Sequence, residues 1–155
     1  MQISVADPAV PDVVALLTEH LADMHATSPA ESVHALDVER LRAPHVTFLT
    51  ARSADGELMG VGALAELGDR HAEVKSMRTA REHRGAGVAA AVLGALVDAA
   101  RVRGCTRVSL ETGTEAYFAA AHRLYERAGF VDCAPFADYV EDPHSRFFTL
   151  AIDSQ

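Results

Sequence analysis

The sequence predicts an α/β domain built on a mixed sheet, and three observations carry that expectation. Residues 45–78 hold three strand-like runs joined by short turns, the pattern of an antiparallel meander. From Arg81 onward the hydrophobic period changes, and helical stripes alternate with strand-like runs. The 155 residues are 49% hydrophobic and 23% charged, ordinary values for one domain with its own core.

The elements follow in order. Ile3 and Val5 open a short strand. Asp7-Pro8 has the form of an N-cap followed by proline at the first helical position, and Val10, Val14, Leu17, Leu21 and Met24 then recur at helical spacing to about His25. "SPAE" at 28–31 fits a capping box, and "LDVERLRAP" reads as a short helical segment stopped by Pro44. "HVTFLTAR" and "ELMGVGALAEL" flank "SADG", whose Asp55-Gly56 suits a hairpin turn, and "GDR" at 68–70 turns the chain into "HAEVKSMR". Val88, Val92, Leu96 and Ala99 form a helical stripe that Leu93 and Val97 widen, with Gly104 ending it. "TRVSLET" is a strand, "EAYFAAAHRLYERAG" a second long helix closed by Gly129, and "RFFTLAI" a last strand. No repeat, linker or low-complexity tract divides the chain, so residues 1–155 are expected to form one domain.

Composition sets limits on function. Fourteen Lys and Arg against 22 Asp and Glu give a formal charge of −8, which argues against broad nucleic-acid or anionic-membrane binding. Charges interrupt every apolar run before the ~18 residues a membrane span needs. The N-terminus lacks a basic region followed by an apolar one, and Cys105 and Cys133 form no CxxC pair, so reduced thiols in a cytoplasmic protein are expected. Against this acidic background the cations Arg78, Arg81 and Arg84, three of the 14, stand within seven positions.

These arginines adjoin "RGAGVAAAV". A helix N-terminus exposes unpaired N–H groups and partial positive charge, and Gly85 and Gly87 let an anion approach without a Cβ in the way. Arg81 and Arg84 can add charge-assisted hydrogen bonds. A solvated loop is the plain alternative. Gly85, Gly87 and Ala90 also fit the dinucleotide pattern G-x-G-x-x-G/A, with Glu111 ending the next strand. That pattern wants a buried apolar strand just before the glycines, whereas here the charged "HAEVKSMR" and the polar or small "TAREH" precede them. About 45 residues follow Glu111, too few for a doubly wound sheet. A nucleotide-binding oxidoreductase is therefore the weaker alternative.

The flanks favour another anion. "EVKSMRTAREHRGAGVAAAVL" resembles the acyl-CoA-binding core of the GNAT N-acetyltransferase superfamily, with an E-[aliphatic]-K-x-[M/L] strand and R-x-x-G-x-[G/A] in Arg84, Gly87 and Ala89. "AHRLYERAGF" is similar to the same family's A-x-x-L-Y-E-[K/R]-x-G-F signature, in Ala121, Leu124, Tyr125, Glu126, Gly129 and Phe130. Both blocks stand in register across residues 73–130. "PFADYVEDPHS" further resembles the tail of small stand-alone bacterial members.

The resemblance implies a mostly antiparallel sheet flanked by helices, with a splayed parallel strand pair that holds acyl-CoA. It implies direct transfer of an acetyl group from acetyl-CoA to a primary amine in a ternary complex. The cofactor site it implies is Met77, Arg78, Arg84, Gly85, Ala86, Gly87, Val88 and Ala89: amides of residues 84–89 around the diphosphate, and the Met77 main chain along the pantetheine arm. Arg81 and His83 are within reach of the nucleotide phosphates or are solvated. Tyr125 is implied as general acid to the leaving sulfur.

Strand alternation puts Glu73, Lys75 and Met77 on one face, where Glu73 can draw the amine's proton; a surface ion pair is its bland alternative. Glu111 and Glu115 are rival bases. Many relatives carry Asn where this chain has Phe118, so an amide contact to the cofactor arm is missing. His20 and His25 are five apart, off the i, i+4 spacing, and no HExxH occurs, so no metal is expected. His25 and His34 are candidates for the acceptor cleft or for plain surface. Neither cysteine looks like a nucleophile, since Cys105 follows a helix-ending glycine and Cys133 lacks a nearby histidine. A non-catalytic acyl-CoA-binding sensor is the alternative from another class. A monomer or a homodimer suits the sequence, with no nucleic-acid or membrane partner.

Overall fold

The computed structural model describes residues 1–27 and 38–153. Seven strands form one sheet in the order β1-β2-β3-β4-β5-β7-β6. Strands β1 (Gln2–Val5), β2 (Val46–Arg52), β3 (Leu58–Gly68) and β4 (His71–Thr79) pair antiparallel in sequence order. Strand β5 (Arg107–Gly113) runs parallel to β4, then β7 (Ser145–Ala151) and the two-residue β6 (Val131–Asp132) complete the sheet antiparallel. The expected meander and mixed sheet are both present.

Helix α1 (Pro11–Thr27) begins three residues after Pro8. Pro11 is the cause: a residue before proline is pushed out of the helical region, so Val10 cannot be a helix interior position and Pro11 takes N1. Asp7 instead closes a turn, its Oδ1 accepting the Ala9 amide at 2.9 Å. Of "LDVERLRAP", Val38–Leu41 form the short α2. The "SPAE" box and His34 lie outside the described residues.

Helix α3 (Val88–Val102) covers one sheet face, packing across β2, β3 and β4. Its Val88, Val92, Leu93, Leu96 and Val97 join Leu64, Val74, Val108, Leu110 and Phe148 in the main core. On the other face α1 supplies Val13 and Leu16 to a second core with Leu41, Phe48, Val61 and Ala63. Both long C-terminal helices stop in Schellman motifs. In α3 the Cys105 amide reaches Ala100 O and the Gly104 amide reaches Arg101 O. In α4 (Ala119–Arg127) Phe130 and Gly129 bond back to Tyr125 O and Glu126 O in the same way. The expected start of α4 near Glu115 is a separate 3-10 turn, Ala116–Phe118.

Two irregularities in β4 prepare the site. The β4–β5 ladder holds only three pairs, from His71↔Arg107 to Glu73↔Ser109, and the strands part beyond it. Between Val61↔Arg78 and Ala63↔Lys75, Gly62 alone opposes both Ser76 and Met77, and Ser76 has φ 56°. This bulge inverts the alternation. Glu73 and Lys75 therefore do not share a face with Met77, which turns beneath α3 while they face the α1 side. Among the described residues no helix is long and apolar enough to cross a membrane.

Candidate active site

The parting of β4 and β5 opens a groove of about 1050 Å³ that runs from the start of α3 to α4. At one end Gly87, with φ 78°, is the N-cap of α3, a left-handed conformation that costs any other residue ~1–2 kcal/mol. Among the described residues no hydrogen bond engages the amides of residues 85–90; the first helical bond of α3 is Ala91 N to Gly87 O. A Cβ on Gly85 or Gly87 would meet nothing within 4 Å, so the space before these amides is open. Arg84, Gly85, Gly87, Val88 and Ala89 line the groove, with Ala86 exposed beside them. The Arg84 amide itself bonds weakly to Arg81 O at 3.4 Å. A row of free N–H groups on a helix dipole, beside an exposed arginine, fits a diphosphate.

The neighbouring basic side chains lie near carboxylates. His83 pairs with Glu57 at 3.0 Å, and Arg81 stands mostly in solvent 3.9 Å from Glu19. Arg78, expected at the cofactor, lines the groove, and its buried guanidinium donates to Glu19 and Asp23 of α1 and to the Tyr117 hydroxyl at 3.0 Å. It ties α1 to β4 and to the turn before α4. The hydrogen bonds from Arg78 hold the Glu19 and Asp23 carboxyls below their ordinary range. Met77 lines the groove on a stretch of β4 that has no β5 partner.

Tyr125, the predicted acid, is buried on α4 with its ring 5.8 Å from Phe148 and 6.1 Å from Phe130. It lines the same groove as the glycine loop. Burial, with a smaller push from the Glu111 charge, raises its hydroxyl to about 12. Phe118 also lines the groove, its ring seated against Gly113, where a Cβ would stand 2.2 Å from it.

Two carboxylates face the split. Glu73 is 4% exposed, accepts the Tyr139 hydroxyl at 2.5 Å and lies 3.6 Å from Lys75 Nζ. Burial raises its carboxyl, and Lys75 and Tyr139 partly offset that. Glu111, on β5, accepts the Ser145 hydroxyl at 2.7 Å. Burial pushes it up to about 7, with the Glu73 charge adding to the rise. Glu115, the third candidate, stands 3.5 Å from the His144 ring; the carboxylates that line the groove are Glu73, Glu111 and, on α3, Asp98. His20 and Met24 of α1 line the groove; burial depresses the His20 imidazole to about 4, so it is neutral.

Tyr139 is the residue the sequence does not single out by role. It comes from the "PFADYVEDPHS" tail, where Phe136, Tyr139 and Phe147 pack with T-shaped or tilted rings at 5.2–5.9 Å and the Tyr139 hydroxyl donates to Glu73. Nothing in sequence spacing links positions 139 and 73. Both cysteines are raised by burial, the reverse of an activated thiolate. Among the described residues no group of three or more His, Cys, Asp or Glu is placed to hold a metal ion.

The chain is similar to known acetyltransferases. A model of the acetyltransferase (GNAT) family matches residues 13–130. The uncharacterized N-acetyltransferase YsnE of Bacillus subtilis is 51% identical over 152 residues, 98% of this chain and 100% of that protein. A solved Klebsiella pneumoniae structure, assigned as an acyl-CoA N-acyltransferase, superposes with a TM-score of 0.79 at 29% identity, covering 97% of each chain. The yncA structure of Salmonella typhimurium, which contains its cofactor acetyl-CoA, shares the fold at TM-score 0.73 and 19% identity, over 99% of this chain and 95% of the other. The chain belongs to the GNAT family of acetyltransferases.

Proposed function

We propose that residues 1–155 form one acetyl-CoA-dependent N-acetyltransferase domain that moves the acetyl group directly to a primary amine. The observation that carries this is one continuous groove, from the unengaged amides at Gly85 and Gly87 to Tyr125 and the two carboxylates. The acetyl-CoA present in the Salmonella typhimurium structure supports the choice of donor.

Acetyl-CoA, when bound, supplies an acetyl thioester. The amides of residues 85–90 hold a diphosphate at the α3 N-terminus, and Arg84 adds a charge there. The free stretch of β4 around Met77 offers main-chain groups to align an amide-bearing arm in strand fashion. A carboxylate of the Glu73–Glu111 pair takes a proton from the acceptor ammonium. Tyr125 keeps its proton throughout the working range, because its hydroxyl is raised to about 12. A thiolate near ~8.5 is a weaker base than that phenolate, so Tyr125 stabilises the departing sulfur chiefly as a hydrogen-bond donor.

Thiol release from acetyl-CoA with a panel of amines tests this directly. Release with at least one amine is expected. CoA binding with no release for any amine would turn the reading toward the sensor. CoA should protect the protein from heat and NAD(P) should not; the reverse would favour the oxidoreductase.

A further inference from the structure

Of the carboxylates that line the groove, Asp98 pairs with Arg101 on α3, while Glu73 and Glu111 stand on the parted strands and are unequally committed. Both oxygens of Glu73 are taken, Oε2 by the Tyr139 hydroxyl and Oε1 by Lys75 Nζ at 3.6 Å. Glu111 is less deeply buried, and only its Oε2 is engaged, by Ser145. Its Oε1 has no hydrogen-bond partner among the described residues. Ser145 itself is fixed by a turn in which Asp142 accepts the amides of His144 and Ser145. Glu111 also stands two residues past the last β4–β5 pair, where the strands have opened.

We propose that Glu111 is the general base that takes the acceptor's proton, and that Glu73, clamped by Tyr139 and Lys75, is a positioning residue whose charge keeps Glu111 basic. This rests on the N-acetyltransferase reading above. Glu73 was the expected base; with a partner on each oxygen and only 4% exposure it is the less open of the two to a substrate. The acceptor ammonium loses two protons on becoming an amide. One passes to Glu111 Oε1 and on to solvent, which frees the nitrogen lone pair to form the C–N bond as the C–S bond breaks. The other leaves the nitrogen as the amide forms and reaches the departing thiolate through solvent, with the Tyr125 hydroxyl hydrogen-bonded to that sulfur, so one proton is released per turnover.

The charged and titratable groups around Glu111 come from every element near it. Glu73 and Lys75 belong to β4, Tyr125 to α4, and Tyr139 and Asp142 to the segment before β7. Glu73 and Asp142 push Glu111 up, while Lys75 and Ser145 pull it down. The net effect leaves it divided between its two forms near neutrality.

The experiment is the pH profile of kcat/KM for the whole protein with an amine that supports thiol release. The wild type should show an acid limb near neutral pH. E111Q should lose that limb and ~10²–10⁴-fold in kcat/KM, with heat protection by CoA unchanged. E73Q should keep the limb but move it to lower pH, with a smaller loss. A limb unchanged in E111Q, or abolished by E73Q alone, overturns the assignment. Carboxyl carbon-13 NMR provides a readout independent of turnover: a glutamate signal titrating near neutrality in the wild type and missing from E111Q is expected, and its absence from the wild type overturns the proposal. No thiol release with any amine would instead sink the N-acetyltransferase reading.

Discussion

The sulfur of Met77 lies 2.8 Å from where a Cβ on Gly62 would stand, so the β4 methionine occupies the space that the β3 glycine leaves empty. Val92 Cγ1 and Leu96 Cδ1 of α3 close the same site at 2.7 and 2.9 Å. A methyl group here has nowhere to go without moving α3 or the bulge. Gly62→Ala should therefore cost ~1–3 kcal/mol as overpacking. At ~2–4 °C per kcal/mol for a chain of this size, the melting temperature falls by roughly 2–12 °C. An unchanged melt would mean that α3 does not sit this close to β3.

That contact also shows where sequence reading stops. The order of strands and helices was legible because turn chemistry at Asp55-Gly56, Gly104 and Gly129 and the change of period at Arg81 are local signals. The open N-terminus of α3 was legible for the same reason, since a helix N-cap and its glycines are contiguous. The bulge at Ser76 was not, because a positive φ at a serine is imposed by pairing with β3, and it reverses the face of everything after it. Arg78 illustrates the consequence: the family resemblance put it at the cofactor, and the reversed register turns its guanidinium toward α1. The carboxylate pair needed three segments to meet, β4, β5 and the tail that carries Tyr139 and Ser145, and no spacing rule spans them.

Loss of the diphosphate grip is the next expectation. Gly87→Ala forces a left-handed residue at the α3 N-cap and should destabilise the free protein by ~1–2 kcal/mol, while weakening CoA binding further by placing a methyl group before the amides. Arg84→Ala should leave stability unchanged and weaken CoA binding in a salt-dependent way. Calorimetric titration with CoA at two ionic strengths separates the two effects. Equal CoA affinity in all three proteins would remove the α3 N-terminus from the binding site.

The Arg78 clamp has an acid limit. Its hydrogen bonds depress the Glu19 and Asp23 carboxyls below their unfolded values of 4.5 and 3.8. A depressed carboxyl contributes stability above its unfolded pKa and loses it as pH falls through the folded one. The double variant E19Q/D23N should thus melt below the wild type at pH 7, with the gap closing below about pH 4. A gap that persists undiminished at pH 3 would mean that packing, not charge, holds α1 to β4.

Glu111 carries the opposite sign. Its carboxyl is raised from 4.5 to about 7, so the folded state binds this proton more tightly than the unfolded chain. Stability is whole below 4.5, erodes up to about 7 and is level above it. At ~1.4 kcal/mol per pH unit, the interval from 4.5 to about 7 amounts to about 3.5 kcal/mol. E111Q removes that penalty at the loss of part of one hydrogen bond, and should be more stable than the wild type by roughly 1–3 kcal/mol at pH 8 and no more stable at pH 4.5. Denaturant melts at the two pH values decide it. A variant less stable at pH 8 would show that Glu111 is held there as an ordinary ion.

Tyr125→Phe separates a core aromatic from a working hydroxyl. The ring's contacts with Phe130 and Phe148 survive the change, so the core should keep its packing and the melting temperature should stay within a few degrees, on the order of 1 kcal/mol. The donor to the departing sulfur is lost, and kcat should fall by roughly 10²-fold, within the usual range for a proton-handling group. KM for acetyl-CoA should change little, because the diphosphate grip lies at the far end of the groove. The phenol matters only as bond breaking proceeds, so the loss belongs to the transition state. A fall in stability with kcat unchanged would make Tyr125 a packing residue and leave the leaving group to solvent.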